Sequence, residues 1–359
     1  MKKIVGKDLE NELEPLEIAL PNNVTTEMGL VLFSISKLLP EKINQKELEA
    51  GIKHQTLPQA FLSAWQEFMH DYGFRGPQEI DVAAPRYQDE PGLIINLLLT
   101  MHTSKDNPQE NFDERQLENE KIFKKIYQEM QKRNDSEAKR FAFYYKIHQT
   151  FAGYRETHKL YLVFVTDLLR QKIVGQGEAF VSEKRLESID QVFSLTLEEL
   201  DQAKHDATFN LLGRVKVHQQ EIDQLAKIPN LPTLIDSRGL ILRPPSRGGG
   251  KHEVKGNPIS RGVYRGRIKV LHQADEKPLK KGEILVARAT DPGWTPLFVN
   301  AGALILEIGG TLQHGALVAR EYGLPCVAGI ENATNLWKDG TLVEVDGAAG
   351  IIRMIKENK

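Results

Sequence analysis

Residues 302–329 read GALILEIGGTLQHGALVAREYGLPCVAG, and the fold turns on this stretch. ALIL is a short continuous apolar run, a glycine pair follows it, and PCVAG is a second β-rich run. Between them, from about residue 314 to 322, apolar positions return at helical spacing. That order predicts a strand–helix–strand unit. His314 stands alone at the entry to the helix. Unpaired backbone N–H groups and the positive end of the helix dipole would meet a phosphate placed there, while Gly309, Gly310 and Gly315 keep side chains out of its way. Imidazole is a good nucleophile near neutral pH, and a phosphorylated ring nitrogen is a good leaving group for a second transfer. Taken alone, a histidine at a helix start can equally be a cap or a surface residue.

The same β-rich grammar surrounds the unit, in GVYRGRIKVL, EILVA and TLVEVDG. Residues 258–359 are therefore expected to form a compact α/β domain. From residue 25 to about 228 the pattern is helical, as in TTEMGLVLFSISKLL, TLPQAFLSAWQEFMHDYG, PGLIINLLLTMH and FDERQLENEKIFKKIYQEM. The longest helical stretch, 136–174, is broken only by Gly153. The fold class is thus multidomain α and α/β, with a mainly helical domain over 1–241 and a Pro/Gly-rich hinge linker over 242–257. Pro244, Pro245 and Gly248 to Gly250 give that linker a composition that resists helix and sheet. It reads either as a hinge that lets one domain move over the other or as a passive spacer.

At 359 residues the chain has room for two or three domains. A net charge of -2 gives no global reason to expect nucleic acid or an anionic membrane as partner, so any anion site must be local. The lack of a long apolar run at the start or later predicts a cytoplasmic protein with no membrane partner. Cys326 is the only cysteine, which excludes an intrachain disulfide and a cysteine metal cluster. Lying on a predicted strand, it reads as a small core residue. The ten histidines contain no pair at the four-residue spacing of a helical metal site, so no metal is expected on this chain.

The block TDPGWTPLFVNAGALILEIGGTLQHGALVAREYGLPCVAGIENAT, followed by DGTLVEVDGAAGIIRMI, resembles the phosphohistidine swivelling domain of the PEP-utilising family, which includes phosphoenolpyruvate synthase, pyruvate phosphate dikinase and rifampicin phosphotransferase. The resemblance covers about the last hundred residues. It implies that residues 258–359 are a β/β/α swivelling domain, and that His314 takes a phosphoryl group from ATP at one site and carries it to an acceptor at another. The dikinases usually have threonine two residues before this histidine; Leu312 stands there, with Thr311 one place further off. That shift disfavours a pyruvate-dikinase reading. DPGWTPLF and QHGALVAREYG look more like the rifampicin phosphotransferase branch.

In the helical half, Arg155 and Lys159 lie four apart on one predicted helix and could clamp a phosphate while Glu156 polarises an acceptor hydroxyl. A plain surface pair of Glu156 with Lys159 is the structural alternative. YRETHK is similar to a helical REXXK run in the drug-binding domain of rifampicin phosphotransferases. That similarity implies acceptor and phosphate-binding roles for Arg155, Glu156 and Lys159. LPNNVTTEMGL and YGFRGPQEIDVAAPRY look like the same domain, and the second gathers Arg75, Glu79, Asp81 and Arg86 in a constrained loop. Phe141, Tyr144, Tyr145 and Phe151 read as helix core or as the lining of a pocket for a large apolar acceptor.

The family's ATP-grasp domain has no counterpart in these residues. GGGKH at 248–252 lacks the first glycine of a P-loop and the Ser or Thr after the lysine. The resemblance therefore implies part of a dikinase-type phosphotransferase, ATP going to AMP and phosphate. No cofactor is expected on this chain; ATP and Mg2+ would come through an ATP-grasp domain or subunit. The acceptor that the resemblance implies is a small hydroxyl compound, with the ansamycins as one candidate class. A split subunit, a truncated product of a longer enzyme, a phosphoenolpyruvate synthase-like fragment and a non-catalytic binding or regulatory module all stay open at this point.

Overall fold

The computed structural model describes residues 1–6, 8–104, 107–227, 235–241, 253–274, 276–290, 294–310 and 313–355. It divides into two compact units: Met1–Pro77 with Arg86–Leu160 and Arg247–Lys359, and Gln78–Pro85 with Tyr161–Ser246. The fold has a helical N-terminal region and a C-terminal mixed sheet.

The first unit opens with helix α1 (Lys2–Val5) and a 3₁₀ segment, Glu10–Glu17. Helices α2 (Val24–Ser36), α3 (Gln45–His54), α4 (Gln59–Tyr72), α5 (Gly92–Thr103), α6 (Pro108–Arg133) and α7 (Asp135–Phe151) follow. Asparagine does much of the punctuation, because its side-chain oxygen takes up orphan N–H groups at a helix start. Asn23 caps α2, Asn44 forms a capping box with Glu47, and Asn134 ends α6 while capping α7. Met28, Leu32, Phe61, Trp65, Phe68, Ile94 and Leu98 pack α2, α4 and α5 into one core. Leu13, Leu16, Ile126 and Phe141 belong to a second, formed by α6 and α7 with the N-terminal segments.

The predicted long helix does not run through. Chain after α7 tightens into a 3₁₀ turn, Ala152–Glu156, before α8 (Thr157–Ser182) begins. Gly153 marks the break for a reason no local pattern carries: a Cβ there would stand 1.8 Å from the Pro21 carbonyl oxygen. The loop ahead of α2 approaches so closely that only glycine fits.

In the second unit, α9 (Leu197–His205) and α10 (Leu211–Ala226) pack with Phe180, Leu186, Val192 and Leu200 in a core. Glu199 accepts from the Thr196 N–H and faces Arg214 and His218. Burial pushes its carboxyl up, but these donors outweigh burial and lower it to about 2.

The sheet holds β1 (Glu253–Lys255), β2 (Asn257–Ser260), β3 (Val263–Val270), β4 (Glu283–Ala287), β5 (Ala301–Leu306), β6 (Cys326–Ala328), β7 (Leu342–Asp346) and β8 (Ile351–Met354). Their order is β1-β8-β7-β3-β4-β5-β6-β2. Strands β3 to β6 run parallel, and β7, β8, β1 and β2 join antiparallel. Both faces of β4, β5 and β6 are buried, which is why those strands read as apolar runs, whereas β3 is buried only toward its end. Leu285, Leu304, Leu306 and Cys326 face one core, and Ile284, Val286, Ile305 and Val327 the other. Short helices α11 (Thr295–Phe298) and α13 (Ala333–Leu336) flank α12 (His314–Tyr322), which crosses from β5 to β6.

The strand–helix–strand expectation matches this crossover. The linker expectation needs trimming at its end, since residues 253–255 and 257 pair with β8 and β6. Residues 242–252, with GGGKH, lie outside the described residues. Cys326 is a fully buried core residue, and burial pushes its thiol up to about 12.

Candidate functional site at the entry to α12

His314 is the first residue of α12, preceded by Gln313 in extended conformation with no side-chain cap. The helix start therefore leaves backbone N–H groups facing outward at its positive end. Gly315 is required by packing: a Cβ would stand 2.2 Å from Thr290 Oγ1 and 3.0 Å from a Leu306 methyl. Gly309 is likewise pressed against Ala328, whereas around Gly310 there is open space. Of the three glycines expected to clear room for a phosphate, Gly310 faces room and the other two serve close packing. Thr311 and Leu312 lie outside the described residues.

The structure brings Glu156 to His314. Oε2 of Glu156 stands 3.6 Å from Nδ1 of His314, with the two side chains 13% and 10% exposed. Burial pushes the Glu156 carboxyl up; His314, Lys159 and Arg155 beside it outweigh burial and hold it below the ordinary carboxylate range. A carboxylate that stays charged at low exposure can take a proton or hold the ring's N–H.

Arg155, Glu156 and Lys159 do not share one α-helix. Arg155 and Glu156 lie in the 3₁₀ turn, and Lys159 in the first turn of α8. The Gly153 contact with the α2 loop imposes that break, so the four-residue spacing does not set their geometry. Arg155 forms an ion pair with Glu321 near the end of α12. Burial lowers its guanidinium from the usual range, with Glu156 acting the other way. Lys159 contributes to the field at Glu156.

Thr290 escaped the reading of the sequence. Its hydroxyl is buried against Gly315, with no hydrogen-bond partner among the described residues. The one available sign was its place at the head of TDPGWTPLF. In the 72–87 loop, Arg75, Glu79 and Arg86 are buried and Asp81 is exposed, so three of the four are not a solvated surface set. Phe141 and Tyr145 stack with Phe123 in the helical core, whereas Tyr144 and Phe151 are exposed. No helix of the described residues is long and apolar enough to cross a membrane.

Two stretches of the chain match known families. Residues 1–156 match the family model of the rifampicin phosphotransferase fourth domain. Residues 279–350, with His314 among them, match that of the PEP-utilising enzyme mobile domain. Rifampicin phosphotransferase of Bacillus cereus is 32% identical over 374 residues, covering 96% of this chain and 41% of that protein. Its counterparts in Bacillus subtilis and Streptomyces sviceus are each 28% identical over the same shares, 96% and 41%. The chain thus spans about two-fifths of the length of the curated relatives it matches. By both family models and by relatives aligned along almost all of it, the chain resembles part of the rifampicin phosphotransferases, a region similar to their fourth domain preceding one similar to the PEP-utilising mobile domain.

Proposed function

We propose that the chain is a phosphotransferase component in which His314 carries a phosphoryl group to the hydroxyl of a small acceptor, in the manner of a swivelling phosphohistidine domain. The observation that supports it best is the uncapped start of α12, with His314 set against the charged, partly buried carboxylate of Glu156. Between Nδ1 and Oε2 there is no space for a phosphoryl group, so Nε2 is the nitrogen for it to occupy. The contact of Glu156 with Nδ1 belongs to the unphosphorylated ring; in the transfer step the phosphorylated ring presents Nε2 toward Glu156, whose carboxylate takes the acceptor's proton.

In the transfer step an acceptor oxygen attacks phosphorus and an O–P bond forms. The N–P bond breaks, its electron pair returns to the ring, and the hydroxyl proton passes to Glu156. Lys159 serves as phosphate ligand. The exposed Phe151 and Tyr154, close in the chain to Arg155 and Glu156, suit an acceptor with apolar bulk, an ansamycin among the candidates. Charging of His314 from ATP, with AMP and phosphate as products and Mg2+ at the nucleotide, is assigned to an ATP-grasp domain or subunit.

Inorganic phosphoramidate, a chemical phosphoryl donor to imidazole, tests the carrier directly. The full chain should gain an acid-labile, base-stable adduct that His314→Ala abolishes. An adduct of equal yield in His314→Ala would overturn the reading.

A further inference from the structure

We infer that Glu321 is a positioning residue that latches the histidine helix onto the N-terminal helices, and that Arg155 is its docking partner. This rests on the carrier reading of His314 and deepens it. Glu321 follows His314 by seven residues, two helical turns, so both project from one face of α12 at points roughly 10 Å apart. His314 meets Glu156, and Glu321 meets the adjacent Arg155.

The carboxylate of Glu321 is buried and closely surrounded. Asn23 Nδ2 donates to both of its oxygens at 2.8 Å, and Thr26 Oγ1 donates at 3.2 Å. Asn23 is at the same time the N-cap of α2, its Oδ1 accepting from Thr25 and Thr26 N–H. Glu321 thus sits at the positive end of α2, where a negative charge is favoured. A carboxylate so desolvated is tolerable only while these donors are in place.

The next two residues complete the fit. Tyr322 lies with its hydroxyl 3.0 Å from where a Cβ on Gly29 of α2 would stand. Gly323 ends α12 in the left-handed region, φ 62°, and a Cβ there would stand 2.0 Å from an Arg115 nitrogen on α6. A guanidinium at the carboxyl end of α12 complements its dipole. Glu-Tyr-Gly at 321–323 is therefore the end of α12 that the N-terminal helices hold. With Arg155 engaged by Glu321, docking of the histidine helix and the charge available to a phosphate are coupled through one side chain.

The test uses the full chain with nitroxide labels on cysteines introduced at the exposed Asn111 and Asn335, since buried Cys326 stays unlabelled. Pulsed EPR should give one narrow distance distribution for the otherwise unaltered chain. Glu321→Gln should lower the ratio of docked to undocked molecules roughly tenfold, as expected for loss of a buried charge-assisted contact. Arg155→Gln should lower the ratio as well, and the Glu321→Gln, Arg155→Gln double variant should lower it by less than the two single effects combined, which independent misfolding would not do. An unchanged distribution in Glu321→Gln, or fully additive effects in the double variant, overturns the latch. Phosphoramidate labelling of the same samples separates the two readings. An adduct dependent on His314 with docking indifferent to residue 321 sinks the latch alone, whereas latch-dependent docking without any such adduct sinks the carrier alone.

Discussion

Glu156 meets His314 at the start of α12, Oε2 to Nδ1 at 3.6 Å. Glutamine at 156 would keep the volume and remove the charge. Transfer from charged His314 to an acceptor should fall by about 10²–10⁴ in Glu156→Gln, the usual span for removing a general base. Chemical charging of His314 by phosphoramidate should survive. Rapid-quench measurement of adduct decay with added acceptor checks both, and a variant that transfers at the unaltered rate would remove Glu156 from the chemistry.

The acid limb of that transfer follows from the same contact. Because the Glu156 carboxyl is held below its ordinary 4.5, it stays ionised as pH falls through that value. Its contribution to stability is present in full above the unfolded-state value and is lost as pH drops through the lower folded one. The stability difference between the unaltered chain and Glu156→Gln should hold from neutrality to about pH 5 and shrink below pH 4.5. Urea unfolding at stepped pH measures it. A difference that shrinks already between pH 7 and 6 would mean that the carboxyl is raised instead.

The parallel centre of the sheet and the histidine turn were legible because both rest on local pattern. Burial on two faces writes β4 to β6 as apolar runs, and a glycine-flanked histidine marks the helix entry. The edge strand β1 was hidden: Glu253–Lys255 carries no apolar run and is held by pairing with β8. The partner of Arg155 was hidden too, since Glu321 lies in the far part of the chain and reads as a surface residue of an amphipathic helix. Spacing implied a shared helical face for Arg155 and Lys159. A contact from the loop before α2 breaks that helix instead.

Gly153 carries the consequence. Alanine would place its Cβ 1.8 Å from the Pro21 carbonyl oxygen and 2.9 Å from the Asn22 carbonyl carbon, both backbone and unable to turn aside. Gly153→Ala should cost about 1–3 kcal/mol, the range for overpacking a filled site. The urea midpoint should fall at unchanged slope. Because the displaced loop holds Asn23, transfer should fall with it. A midpoint equal to that of the unaltered chain would show that the loop yields freely and that the 3₁₀ turn has another cause.

Gly315 and Thr290 offer a cleaner cycle, because the obstructing atom can be removed. Gly315→Ala sets a methyl 2.2 Å from Thr290 Oγ1, and that hydroxyl is buried with no hydrogen-bond partner among the described residues. The single variant should lose about 1–3 kcal/mol. Thr290→Ala alone costs about 1 kcal/mol of packing and breaks no side-chain hydrogen bond among the described residues. In the double variant the clash is gone, so the losses should fall short of their sum by about 1 kcal/mol or more. Additive losses would place the strain of Gly315→Ala on Leu306 instead, whose methyl stands 3.0 Å from the added carbon, and Leu306→Val would then be the change that relieves it.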